Sequence, residues 1–218
     1  MSDELTLDEL DRDEAVAEAV HGLKTTDRRG VLRRLGLIAG GGVVAGAVPL
    51  ALAGAQSKGD VEILNYALTL EYLEAAFYNE ALAKGNLSGS VLNFAQVVAA
   101  HENTHVEALR GALGSAAKKS PSFDFKNTTG SQKTFLRTSK VLEDTGVSAY
   151  QGQATEIKSP EILATAGSIL AVEARHAAWV RDLLAAGKSP KPAPDAFNPA
   201  MTMDEVLEAV EATGFIKS

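Results

Sequence analysis

The sequence predicts an all-α fold in which four long helices form a bundle and a shorter helix follows them. Past residue 56 the chain divides into long segments rich in Ala and Leu with helical periodicity, and strand signals are few. Each of the four segments is about 25 residues long, which corresponds to a helix of nearly 40 Å. Hydrophobic residues make up 45% and charged residues 22% of the 218 residues, a composition typical of a globular protein.

Residues 1–55 precede the predicted bundle and are expected to direct export. After an acidic leader, Arg28 and Arg29 stand before an apolar run rich in Gly and Ala, an order that resembles a twin-arginine export signal. Ala53 and Ala55 offer a small-x-small cleavage site. The sequence thus predicts transient contact with the twin-arginine machinery and a periplasmic, cell-surface or extracellular location. An uncleaved signal that anchors the chain in the membrane is the alternative.

The first pair of helices is bounded by cap and turn residues. The first helix is expected over about residues 60–84, after a capping box made by Ser57 and Asp60. The stretch GNLSG breaks it, and the second helix is expected over about residues 90–117. The longer loop KKSPSFDFKNTTG follows this pair.

The second pair of helices completes a bundle domain over residues 56–187. Its first helix is expected near 131–155, and Ser159–Pro160 then opens the fourth as a favourable N-cap and first-turn pair. Residues 188–218 form a C-terminal extension with a short helix, which begins at a capping box in the stretch TMDE.

Charge and cysteine content exclude several classes of protein. The net charge of −7 argues against a nucleic-acid partner, because phosphate binding needs clustered Lys and Arg. The chain has no cysteine, which excludes disulfides, thiolate zinc sites, iron–sulfur clusters and a rubredoxin-type iron centre. The strong metal ligands that remain are His, Glu and Asp.

Each of the four long helices carries a carboxylate near the middle of its inward-facing stripe. Alternating steps of three and four residues place Glu71, Glu102, Glu143 and Glu173 among apolar neighbours. Isolated buried carboxylates cost several kcal/mol each, so four together need protons or cations between them.

The second half of the bundle restates the first. The same interval along the chain separates Glu71 from Glu143 and Tyr78 from Tyr150. Glu102 and Glu173 are one residue closer together in the chain than those pairs, and so are His105 and His176. Each half therefore has Glu-x6-Tyr on one helix and Glu-x-x-His on the next. A Glu and a His three residues apart share a helix face, so a pseudo-two-fold bundle would hold both halves around a common pair of metal ions.

The stretch HENTH at residues 101–105 allows two interpretations. As H-E-x-x-H it is a zinc-protease signature, with His101 and His105 as ligands and Glu102 as general base. As Glu102-x-x-His105 it is half of the ligand set of a two-metal carboxylate bundle. The protease interpretation leaves the other three carboxylates and His176 unexplained. We therefore favour the second, in which His101 is a surface group or a partner of a ligand.

Five stretches resemble the ferritin-like superfamily: ILNYALTLEYLEAAFYNEAL, AHENTHVEAL, LEDTGVSAYQG, AVEARHAAWVRDLL and the tail PDAF…EVLEAV. Within it, the chain is similar to the exported ferritin-like domain family that includes plant desiccation-related and fungal stress-response proteins. The resemblance covers about residues 60–214. It implies an antiparallel four-helix bundle with a long crossover.

The resemblance also implies a site of two Fe or two Mn ions and assigns six ligands. These are Glu71, Glu102, His105, Glu143, Glu173 and His176. Tyr78 matches a tyrosine that neighbours the metals in related proteins and is the candidate for a catalytic role.

Three questions stay open at this level. Glu74 competes with Glu71 as the first-helix ligand, because EYLE offers two carboxylates one turn apart. Tyr78 and Tyr150 are equally well explained as core aromatics whose hydroxyls bind carboxylates. Gly146 in the third helix serves close helix packing or leaves room beside the metals for a small ligand.

Such a site suits an oxidase or peroxidase, either a ferroxidase or an enzyme resembling manganese catalase. Its partners would be small molecules: oxygen, peroxide or Fe(II). The alternative is a non-catalytic metal-binding stress or desiccation protein. Iron storage would require a multi-subunit shell, and the sequence leaves homo-oligomerisation open.

Overall fold

The computed structural model describes residues 57–186, 188 and 191–217, so the predicted export segment lies outside it. The described part contains five α-helices, a short 3-10 helix and one two-stranded sheet. The α-helices are α1 (Lys58–Lys84), α2 (Gly89–Leu113), α3 (Gln132–Gln153), α4 (Pro160–Ala185) and α5 (Met203–Thr213). The all-α prediction is confirmed, and most helix ends fall close to their expected positions. The exception is α2, which gives way to the 3-10 helix Gly114–Ala116 before its expected end.

Loop lengths define the topology of the bundle. Residues 85–88 join α1 to α2 and residues 154–159 join α3 to α4, so each pair packs as antiparallel neighbours. The connection from α2 to α3 takes residues 114–131, which is the long crossover. This crossover carries β1 (Ser122–Phe123), and β1 pairs antiparallel with β2 (Ile216–Lys217) near the C-terminus. The sequence did not predict this sheet.

Side-chain caps begin α1, α4 and α5 as expected, with one difference. The Ser57 hydroxyl accepts a hydrogen bond from the Asp60 backbone N–H at 3.0 Å. The Asp60 carboxylate does not complete the capping box, because it accepts instead from the backbone N–H of Lys158 at 2.8 Å. It thereby ties the start of α1 to the loop before α4. The box between Thr202 and Glu205 at the start of α5 is complete.

A cluster of aromatic rings fills the core next to the middle of the bundle. Tyr78 on α1 makes edge-to-face contacts with Phe77, Phe94 and Phe135, with ring centroids between 5.4 and 5.9 Å apart. All four rings are fully buried. Because their packing fixes the tyrosine ring, the hydroxyl of Tyr78 is held in one place.

The C-terminal extension packs closely on α3. The backbone N–H of Met201 donates to the carbonyl of Ser148 at 3.1 Å. A Cβ at Gly152 would lie 1.8 Å from the carbonyl oxygen of Met201, so only glycine permits this approach. Val206 and Val210 of α5 then join the core.

Among the residues that the structure describes, no helix is long and apolar enough to cross a membrane.

Candidate metal centre

The four long helices bring all six predicted ligands together in the interior of the bundle. Because inward positions recur every three or four residues, these six residues fall on the buried faces of their helices. The four carboxylates have no exposed surface, and the two imidazoles are 9% and 2% exposed. The six residues are Glu71, Glu102, His105, Glu143, Glu173 and His176.

The side chains fall into two overlapping groups, each with ligand atoms that lie within 4.8 Å of one another. The first group, termed metal position 1, could hold an ion between Glu71, Glu102, His105 and Glu173. The second group, termed metal position 2, could hold an ion between Glu102, Glu143, Glu173 and His176. Glu102 and Glu173 belong to both positions, which is the arrangement that two bridging carboxylates require.

The two oxygens of Glu102 face different imidazoles. Its Oε2 lies 3.1 Å from Nδ1 of His105, and its Oε1 lies 3.0 Å from Nδ1 of His176. Each imidazole also approaches the carboxylate that belongs to its own position alone. His105 Nδ1 is 3.2 Å from Glu71 Oε2, and His176 Nδ1 is 3.1 Å from Glu143 Oε2. The same nitrogen of each ring thus faces the centre.

Two tyrosines bind carboxylates across the pseudo-two-fold. The hydroxyl of Tyr78 donates to Glu143 Oε1, and that of Tyr150 donates to Glu71 Oε1. Each tyrosine follows the Glu of its own half by two helical turns and binds the Glu of the other half. The crossed bonds hold Glu71 and Glu143 with their other oxygens turned towards the imidazoles.

Burial and mutual repulsion of the carboxylates favour protons or cations at this cluster. Burial and the nearby charge of Glu71 raise the pKa of Glu102 to about 7. Burial and the charge of Glu102 raise the pKa of Glu173 well above its usual range. Burial alone would lower the pKa of His176, but the neighbouring Glu102 and Glu143 carboxylates raise it to about 10. Without metal, the cluster therefore retains protons that a metal ion would displace.

The donor set fits a pair of metal ions. Among the described residues, the buried carboxylate oxygens without a hydrogen-bond partner are Glu102 Oε1 and both oxygens of Glu173. These atoms belong to the two residues shared by the metal positions. Glu102 Oε1 lies close to His176 Nδ1 without the alignment of a hydrogen bond, as expected when both atoms point at a common centre. Carboxylates and imidazoles suit Fe(II) and Mn(II).

His101 lies outside both metal positions. It is exposed, and its Nδ1 is 2.9 Å from Nε2 of His176, on the side of that ring away from the carboxylates. The two rings are stacked with centroids 5.2 Å apart. His101 is thus placed as a partner of His176, and the grouping of His101 with His105 that a zinc protease requires is not found among the described residues.

Glu74 is the buried carboxylate that the sequence left undecided. Glu71, not Glu74, contributes to metal position 1. Glu74 is nevertheless only 3% exposed, and burial together with the surrounding carboxylates raises its pKa well above the usual range. Among the described residues, five glutamates are therefore buried in the bundle interior.

An apolar pocket adjoins metal position 1. It lies between the helices at the end of the bundle where α1 begins, and Leu64, Leu70, Leu109 and Ala149 are among its lining residues. Tyr150 also lines it, and the hydroxyl of this tyrosine binds Glu71. A small apolar molecule in the pocket would thus be separated from the centre by the Tyr150 side chain.

In this bundle two helices carry Glu-x-x-His and each of the other two carries an inward Glu. This is the pattern of the carboxylate-bridged metal proteins. A profile of the ferritin-like domain matches residues 59–186, and the chain belongs to this family. A comparison with curated proteins gives no significant match.

Proposed function

We propose that the protein is an exported ferritin-like oxidoreductase whose two Fe or Mn ions react with oxygen, peroxide or Fe(II). The observation that carries the proposal is the sharing of Glu102 and Glu173 by the two metal positions, since shared carboxylates hold two ions close enough to act together. The bound pair would supply the redox chemistry.

The protein side chains would bind and orient the pair. Glu71 and Glu143 are each held by a tyrosine, so their free oxygens stay directed at the centre. The bundle interior excludes water, which strengthens the attraction between carboxylates and cations. A catalytic role for Tyr78 remains part of the proposal and is compatible with its hydroxyl lying on Glu143.

The apolar pocket beside Tyr150 favours reaction over simple sequestration. The pocket lies on the side of Tyr150 away from Glu71, where a small apolar molecule such as dioxygen could approach the centre. Export through the twin-arginine route, which accepts folded proteins, would let the metals bind before the protein leaves the cytoplasm. This export is proposed from residues 27–55 alone, which lie outside the described part of the chain.

Turnover by the reconstituted protein tests the proposal. The full chain, loaded separately with Fe and with Mn, is mixed with peroxide and with Fe(II) plus oxygen, and oxygen release or consumption is recorded. We expect catalytic turnover with one metal, and its loss in Glu173→Ala but not in Glu107→Ala, an exposed glutamate on α2. A metal-loaded protein that consumes none of these substrates would instead favour the non-catalytic alternative.

His101→Ala is expected to weaken binding of one metal ion without removing a ligand. His101 holds the outer nitrogen of His176, and loss of such a partner lowers metal affinity by roughly 10- to 100-fold. Competition with a coloured chelator measures the affinity. Thr104→Ala is the control, because Thr104 is exposed on the same helix and its hydroxyl donates to the Ala100 carbonyl. Equal affinities for the two variants would contradict the assigned role of His101.

A further inference from the structure

A second cavity lies outside the metal centre, between the α3–α4 pair and the C-terminal extension. Its volume is about 620 Å3, which is within the range of roughly 300–1,000 Å3 that small-molecule sites occupy. None of the six predicted metal ligands lines it. Ala174 and Ala177 do, and each directly follows a predicted ligand along α4. The cavity therefore adjoins a different face of α4 from the metal centre.

Two stripes of side chains on the helices form the floor of this cavity. The stripe on α3 includes Asp144 and Val147, and the stripe on α4 includes Ala174, Ala178 and Arg181. Spacings of three and four residues keep the side chains of each stripe on one face of its helix. Each helix thus contributes small apolar side chains next to a charged one.

The C-terminal extension forms the opposite wall and is anchored to α3. The side-chain amide of Gln151 donates to the Asn198 carbonyl at 3.0 Å. Pro192, Pro194 and Pro199 line the cavity from this side, and the ring of each proline fixes a backbone angle and stiffens the segment. Residues 191–199 are exposed, so a ligand can enter from solvent along this wall.

The charged residues of the lining leave positive charge without a partner. Lys140 Nζ lies 2.8 Å from Asp144 Oδ2, and Arg181 binds the other oxygen of the same carboxylate. Because Lys has three donors and Arg has five, both side chains keep donors that Asp144 does not use. On the extension, Lys191 and Asp195 carry equal and opposite charges. The lining thus has one net positive charge, in a chain whose net charge is −7.

A buried hydroxyl without a hydrogen-bond partner also lines the cavity. Ser148 is 7% exposed and lies one helical turn after Asp144 on the same face of α3. Among the described residues its hydroxyl makes no hydrogen bond, although its backbone carbonyl accepts one from Met201. Because an unpaired buried hydroxyl costs free energy, a polar atom of a ligand bound beside it would stabilise the site.

We propose that this cavity binds a small aliphatic carboxylate. The carboxylate would bind Lys140 and Arg181 and accept a hydrogen bond from Ser148, while its hydrocarbon chain would lie on Val147 and Ala178. One surplus positive charge suits a carboxylate better than a phosphate monoester, which carries close to two negative charges. The site is independent of the proposed metal pair.

Calorimetric titration of the full chain with octanoate tests the proposal. Octanol and octylamine are the neutral and cationic probes with the same hydrocarbon chain. We expect octanoate to bind roughly tenfold more tightly than either, because only the carboxylate makes charge-assisted hydrogen bonds to the basic side chains. Equal affinities for the three probes, or no binding of octanoate, would overturn the proposal.

Lys140→Gln is expected to weaken octanoate binding by roughly tenfold, because Asp144 then neutralises the charge of Arg181 and no surplus remains. Lys133→Gln is the matched control, since Lys133 is exposed on the same helix and does not line the cavity. Equal octanoate affinities in these two variants would contradict the assignment of the charged end.

Ala178→Leu should lower the octanoate affinity by roughly tenfold as well, because the larger side chain fills the floor of the cavity. Ala171→Leu, an exposed change on α4 away from the cavity, is the control. Circular dichroism verifies that each variant keeps its helices, and the metal content should be the same in all of them. Unchanged octanoate affinity in Ala178→Leu would place the binding elsewhere in the chain and overturn the proposal.

Discussion

Alanine in place of Glu102 is expected to abolish binding of both metal ions. Glu102 contributes to both metal positions and turns one oxygen towards each imidazole. Glu71→Ala removes a ligand from position 1 alone and should leave about one ion per chain. The comparison of these two variants by elemental analysis therefore distinguishes a shared carboxylate from a ligand of one ion.

Thermal unfolding provides a second measurement for Glu102→Ala. A ligand present at 1,000 times its Kd stabilises the folded state by about 4 kcal/mol, and the variant should lose this metal-dependent gain. The metal-free form should not be destabilised comparably, because the substitution removes a buried carboxylate that repels its neighbours. Glu107→Ala, an exposed change on the same helix, should keep both ions. Two ions retained by Glu102→Ala would contradict the shared role.

The metal-free protein is expected to lose stability as the pH rises from about 5 to 9. Folding raises the pKa of Glu102 from 4.5 to about 7, so the stability contributed by its bound proton is present at pH 4.5 and lost through pH 7. Folding raises the pKa of His176 from 6.5 to about 10, so its contribution is lost over the higher part of the range. The shift at Glu102 alone corresponds to about 3 kcal/mol.

Denaturant unfolding at pH 5.5, 7 and 8.5 measures this dependence on chelator-treated protein. The metal-loaded protein is the control. Its metal affinity should rise with pH, because metal binding displaces the same protons. Glu71 acts in the other direction, since its pKa is lowered and its contribution is lost only on acidification. A metal-free protein more stable at pH 8.5 than at pH 5.5 would contradict the arrangement.

The helices and the burial of the ligands could be predicted because their signals are local. Cap residues such as Ser159 and Thr202 mark helix starts in the sequence, and both cap helices in the structure. The three-and-four periodicity placed each carboxylate among apolar residues, and all four proved buried. The regular spacing of the Glu, Tyr and His positions related the two halves, although a repeat does not say which residue of one half meets which of the other.

Contacts between distant segments could not be predicted from the sequence. The crossed bonds from Tyr78 to Glu143 and from Tyr150 to Glu71 depend on the packing of one helix pair against the other. The short sheet joins residues far apart in the chain and is too brief to show periodicity. The sequence predicted that Asp60 completes a capping box, but its carboxylate accepts a hydrogen bond from the Lys158 backbone N–H instead.

Glu74 and Gly146 illustrate the same limit at the site itself. The sequence presented them as separate questions, one about a competing ligand and the other about a glycine in a helix. The structure joins the two questions, because the carboxylate lies where the glycine has no side chain. Glu74 and Gly146 are separated by the same number of residues as Glu71 and Glu143. Comparison of the two halves at positions where their residues differ would therefore have linked Glu74 with Gly146.

The most direct test of a shared carboxylate centre is the metal content of the protein, measured by elemental analysis on full-length chain folded in the cytoplasm with its N-terminal segment attached. We expect close to two Fe or two Mn ions per chain, in agreement with two positions that share Glu102 and Glu173. One zinc ion per chain, or a stably folded protein that takes up no metal even when Fe2+ and Mn2+ are supplied, would contradict the account.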